Sequence, residues 1–106
     1  MNIFIITEGN AQTGYGHLTR CLAIYQGFEE HNIIPTLVAN CDENGKKVLG
    51  NISLQAFDWI ENQDKLVELI SGADITVIDS YLEDLPLYVR INESVKKTVY
   101  FDDTLR

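Results

Sequence analysis

Apolar and polar positions follow two alternating rhythms along this chain. Asn2-Ile3-Phe4-Ile5-Ile6-Thr7 is a continuous apolar run, as expected for a strand covered on both faces. From His17 to about His31 the spacing becomes helical. Leu18, Cys21, Leu22, Tyr25 and Phe28 share one stripe, with Thr19, Gln26 and Glu30 opposite. Ile33 to Ala39 predicts a second strand, with Pro35 suiting an edge or an early position. Asp42 to Leu49 predicts a short helix ended by Gly50. Ile52 to Phe57 predicts a third, shorter strand. Asp58 can cap a helix running to about Ser71, with Ile60, Leu66, Val67, Leu69 and Ile70 as its apolar positions. Asp74 to Asp79 predicts a fourth strand. Glu83 to Val95 predicts a helix with Pro86 in its first turn, and Thr98 to Phe101 a fifth strand.

This alternation predicts one α/β domain over residues 1–106. It is a Rossmann-like open parallel sheet of five strands, order 3-2-1-4-5, with helices on both faces. Such sheets bind ligands beyond the carboxyl ends of the strands, where the order reverses. The polar clusters fall there: Glu8 to His17 after the first strand, Asp79-Ser80-Tyr81 after the fourth, Asp102-Asp103 after the fifth. The chain stops at Arg106, directly after the fifth strand. That stop predicts a truncated or excised part of a larger protein. It also predicts exposed apolar surface there, able to support a homo-oligomer.

Composition narrows the partners. Hydrophobic residues make up 45% and charged residues 23%, ordinary for a globular domain. The net charge of -8 argues against nonspecific nucleic-acid or anionic-membrane binding, yet leaves room for a small anion held by a local loop. No apolar run is long enough to span a bilayer, and the apolar start lacks a basic leader. Cys21 and Cys41, one inside a helix and one just after a strand, read as reduced thiols rather than a disulfide framework. The expected location is the cytoplasm.

The densest chemistry lies in Thr13-Gly14-Tyr15-Gly16-His17-Leu18-Thr19-Arg20. Glycine allows close backbone approach to a ligand, and free N–H groups at a helix start attract anions. The positive end of that helix disfavours an imidazolium, so His17 is expected to stay neutral and to serve as a base. A local hydrogen bond at the helix start is its plainer role. Gly14 and Gly16 either admit a ligand or merely shape a long turn. Arg20, one turn on, suits a phosphate or carboxylate, or else an ion pair with an acidic residue. Asp79 either orients His17, binds a sugar hydroxyl, or caps its loop. Tyr81 either meets substrate or packs over the strand end. Gly14-Tyr15-Gly16 matches only part of a dinucleotide fingerprint, and no Gly-Lys-Ser/Thr follows, so neither a nicotinamide cofactor nor a Walker loop is expected. Asp102-Asp103 point in different directions from a strand, and no ligand spacing supports a metal. No cofactor is expected. Trp59 reads as core or rim rather than a stacking platform.

Three segments carry a family resemblance: Thr13 to Ala23, Val77-Ile78-Asp79-Ser80-Tyr81, and Tyr100-Phe101-Asp102-Asp103. In this order they resemble the amino-terminal half of the pseudaminic-acid-pathway UDP-sugar hydrolases. Those are similar to the spore-coat polysaccharide biosynthesis proteins and, more distantly, to MurG-like glycosyltransferases. The resemblance spans almost the whole chain. It implies one half of a GT-B architecture, with a carboxyl-terminal domain, missing here, holding most of the nucleotide. It implies metal-free cleavage of UDP from a 2,4-diacetamido-2,4,6-trideoxy sugar in surface polysaccharide or nonulosonic acid biosynthesis. The residue matching His17 would activate water, and that matching Tyr81 would lie near the sugar. Gly14, Tyr15, Gly16, Arg20 and Asp79 complete the expected substrate site. Two other functions fit the same residues: a glycosyltransferase half-domain with His17 acting on an acceptor hydroxyl, and a noncatalytic nucleotide-sugar-binding domain.

Overall fold

The structure is a computed structural model and describes residues 1–80 and 84–101. Nine elements follow in order: β1 (Ile3–Gly9), α1 (Gly16–Glu30), β2 (Thr36–Cys41), α2 (Glu43–Leu49), β3 (Leu54–Ala56), α3 (Gln63–Ile70), β4 (Ile75–Asp79), α4 (Leu85–Ser94) and β5 (Thr98–Tyr100). The strands form one sheet in the order β3-β2-β1-β4-β5, and every pairing is parallel. The chain therefore has the Rossmann-like α/β fold expected of its pattern. Among the described residues, no helix is long and apolar enough to cross a membrane.

The period of two along each strand splits the core into two layers. On one face Ile5, Leu37, Ala39 and Val77 meet Leu18, Cys21 and Tyr25 of α1 and Leu49 of α2. On the other face Ile6, Val38 and Ile78 meet Trp59, Leu66 and Ile70, with Leu87 and Ile91 of α4. Burying each of the large aliphatic side chains contributes roughly 1.5–3 kcal/mol. The central strands β1 and β4 are held on both faces, which explains why their sequences are continuous apolar runs. The sheet order reverses between them, so α1 covers one side of that point and α4 the other.

Local chemistry sets the element ends. Asp42 caps α2 by accepting from Gly45 N at 2.8 Å, and Gly50 closes it at φ 74°. Asp84 caps α4 through Leu87 N at 3.0 Å, and Pro86 sits in the first turn as expected. The expected start at Glu83 lies outside the described residues. Most bounds shift by only one or two residues, and the largest differences from expectation are at the starts of β2 and α3. β2 begins at Thr36 rather than Ile33, because Pro35 has no N–H to donate; Ile34 is left exposed. Asp58 caps a turn and not a helix: its Oδ1 accepts from Ile60 N and Glu61 N, both at 3.1 Å. That turn delivers Trp59 into the core, where its indole N–H donates to Thr7 O at 2.8 Å. α3 starts only afterwards, at Gln63.

Candidate active site

The β1–β4 register pairs Thr7 with Asp79, placing Asp79 at the carboxyl end of β4 beside the point of reversal. Val77 and Asp79 point to the same face, the one covered by α1. α1 follows β1 after the loop 10–15, so its first turn returns over that same end of the sheet. His17 and Arg20 are one turn apart on α1, and both reach Asp79. His17 Nδ1 lies 2.5 Å from Asp79 Oδ1. Arg20 donates from Nε to Oδ2 and from Nη2 to Oδ1, each at 2.6 Å, in a two-point grip. The Cys21 thiol adds a weak contact of 3.7 Å to Oδ2.

Asp79 is completely buried and His17 nearly so, while Arg20 is 38% exposed. A carboxylate has about four acceptor sites, and among the described residues four side-chain donor atoms address this one. The reading of Asp79 as an orienter of His17 therefore fits the geometry better than a contact to a sugar hydroxyl. Arg20 takes the ion-pair alternative, though with a strand-end acid rather than a loop acid. Its guanidinium also lies over the Phe101 ring, 5.3 Å from the centroid. Burial pushes the Cys21 thiol up to about 12, with the Asp79 charge adding to the effect and the Thr7 hydroxyl and Arg20 opposing it. Cys21 is thus a thiol packed beneath the site rather than a nucleophile.

The preceding loop is tightly organised. Asn10 Oδ1 accepts from Gln12 N at 2.8 Å and Thr13 N at 2.9 Å, and Gly14 N donates to Asn10 O at 2.7 Å. Gly14 closes the turn at φ 86°, a left-handed conformation. A Cβ on Gly16 would meet nothing within 4 Å, so space is open at the start of α1. Tyr15 occupies the N-cap position, and its own side chain makes no cap hydrogen bond there. The Tyr15 hydroxyl goes to Asp42, 3.0 Å from Oδ2 and 3.2 Å from Oδ1. Desolvation first, then the hydrogen bond and charge of Asp42, raise the Tyr15 phenol above its ordinary value. Asp42 also accepts from Ala11 N at 3.1 Å, so one carboxylate binds the loop to α2.

The structure thus gathers His17, Arg20 and Asp79 into one contact set, with Gly14, Tyr15 and Gly16 forming the adjoining loop. Tyr81, Asp102 and Asp103 lie outside the described residues. Sequence reading missed Asp42 as the loop's anchor and Gly9 as a packing requirement. A Cβ on Gly9 would come 2.8 Å from Leu18 Cγ, so β1 and α1 approach closely only because that position is glycine. The Asx cap before α2 was a signal for Asp42 as a cap, though not for its reach to Tyr15. Among the described residues, no group of three or more His, Cys, Asp or Glu side chains is placed to hold a metal. No protein-family model matches this chain, and no curated protein or solved structure matches it.

Proposed function

We propose that this domain is the base-bearing half of a UDP-sugar hydrolase acting on a 2,4-diacetamido-2,4,6-trideoxy-hexose nucleotide. The observation that supports this most is the 2.5 Å contact between His17 Nδ1 and the buried Asp79 carboxylate, beside the reversal of the sheet. With Asp79 accepting from Nδ1–H, the neutral ring carries its lone pair on Nε2, directed away from the carboxylate. Nε2 takes a proton from water as the water oxygen bonds to the anomeric carbon. The glycosidic C–O bond breaks, and UDP departs with the bonding pair. Asp79 stabilises the imidazolium so formed, as the buried acid does in other His–Asp pairs. Arg20 holds that acid in place at 2.6 Å.

The diphosphate suits the start of α1, where the positive end of the helix favours an anion and Gly16 leaves space. A second, carboxyl-terminal domain would hold the uridine and complete the cleft. Both cysteines are free thiols, in keeping with a cytoplasmic enzyme.

The test is UDP release by the two-domain protein, compared with its His17→Gln variant. Loss of a general base is expected to slow release by about 10²–10⁴-fold with the circular dichroism unchanged. Equal rates would sink the assignment. Release that persists undiminished in saturating sugar acceptor distinguishes hydrolysis from transfer.

A further inference from the structure

The other side of the same strand tips carries a second polar feature. Along β1, Ile6 faces the α3–α4 side, so Glu8, two residues on, faces that side too. The same reasoning places Asn40 two residues beyond Val38, and Ser80 two beyond Ile78. Glu8 is paired in register with Asn40, and the Thr7–Asp79 pairing brings Ser80 alongside Glu8. The Ser80 hydroxyl donates to Glu8 Oε1 across the point where the strand order reverses. Asn40 Nδ2 is fixed by Asp58 Oδ1 at 3.2 Å. All three residues are half-buried, above the fully apolar layer of Ile6, Val38 and Ile78.

We infer that Glu8, Asn40 and Ser80 form a shelf that receives the neutral, hydroxyl- and amide-bearing ring of the ligand. This rests on the function proposed above and assigns the sugar to particular residues. A carboxylate accepts strongly from hydroxyl and amide N–H donors and repels phosphate. The amide and the hydroxyl can each donate or accept. The shelf and the start of α1 lie at the same end of the sheet but on opposite faces. A nucleotide sugar lying over the tips therefore has one orientation, with its diphosphate toward α1 and its ring over Glu8. The reverse orientation would set phosphate against the Glu8 carboxylate.

The experiment titrates the isotope-labelled two-domain protein of the proposed function with UDP-N-acetylglucosamine and, separately, with UDP, following amide resonances by NMR. UDP-N-acetylglucosamine is expected to shift Glu8, Asn40 and Ser80, while UDP shifts only the start of α1. Glu8→Gln keeps the shape and an acceptor for Ser80, and is expected to weaken UDP-N-acetylglucosamine about ten-fold with UDP unchanged. Ser80→Ala, which does not alter the charge, should show the same selective loss to a smaller degree. Shifts at Gly16 and His17 with none on the shelf, or equal loss of both probes, would overturn the shelf and leave the proposed function standing. No shift anywhere with either probe would overturn both.

Discussion

Tyr15 gives its hydroxyl to Asp42, the residue that caps the next helix, so the starts of α1 and α2 are fastened by one carboxylate. A tyrosine expected in the substrate site also holds the loop that presents His17. Tyr15→Phe is expected to release this fastening without unfolding the sheet. Hydrogen exchange at the Ala11 and Gly14 amides should quicken, while Ile5, Ile6 and Val38 keep their protection. Unchanged exchange in the loop would show that the Ala11 contact to Asp42 suffices alone.

The same carboxylate gives the fold an acid limb. The Gly45 N–H is the largest influence holding the Asp42 carboxyl below its ordinary 3.8, with the Tyr15 hydroxyl and Ala11 N–H assisting and desolvation opposing. Because the folded value is depressed, this stabilisation is complete above the unfolded value. It is lost as pH falls from there through the folded value. Asp74 behaves alike, held down by the Asn2 N–H and by Lys96. Thermal melts should therefore weaken below about pH 4, and Asp42→Asn should flatten part of that decline. A variant with an acid limb identical to the wild type would remove Asp42 from the account.

Glycine substitutions should separate by cause. Gly14→Ala forces an alanine to φ 86° and is expected to cost about 1–2 kcal/mol. Gly9→Ala drives a methyl to 2.8 Å from Leu18 Cγ, and Gly45→Ala to 2.8 Å from Cys41 Cβ. Each overpacking is expected to cost about 1–3 kcal/mol in urea unfolding. Gly16→Ala meets open space at ordinary φ and should leave stability unchanged. If it nevertheless weakens UDP binding, the openness there serves the ligand. A loss of stability as large as that of Gly9→Ala would contradict the open space.

The sheet was legible because its evidence is local and repeated. The apolar runs of β1 and β4 report burial on both faces, and Gly50 and Pro86 mark a helix end and a helix start. His17 and Asp79 stood out as residue types at the ends of the right elements. Their contact follows from β1 and β4 being neighbours, as the expected order 3-2-1-4-5 has them, but nothing in the spacing chose among the roles open to Asp79. The same holds for Arg20, whose alternatives could be separated only by the acid that the topology placed beside it. Asp58 was misjudged because its capping preference is the same for a turn and a helix. The choice was made by Trp59 seeking both the core and the Thr7 carbonyl. Gly9 gave no signal, because a close approach between β1 and α1 is a property of packing and not of turn chemistry.

Charge asymmetry around Asp79 gives the sharpest stability test. Asp79 is fully buried, whereas Arg20 keeps 38% of its surface in water. Removing the arginine strands a buried carboxylate with only His17 and a weak thiol contact, among the described residues, to offset it. Removing the acid leaves a guanidinium that water can still solvate. Breaking a fully buried pair costs about 3–5 kcal/mol, and the exposure of Arg20 places Arg20→Ala at the lower end or below. Asp79→Asn is nearly isosteric, retains an acceptor for His17 Nδ1, and should cost less. Arg20→Lys should fall between wild type and Arg20→Ala, since an ammonium cannot reproduce the two-point grip. Urea unfolding of the three variants checks the order. In the proposed reaction the order should reverse, because Asp79→Asn removes the charge that stabilises the imidazolium while Arg20→Ala leaves it. An Asp79→Asn variant less stable than Arg20→Ala would mean that the carboxylate is held by more than the cation beside it.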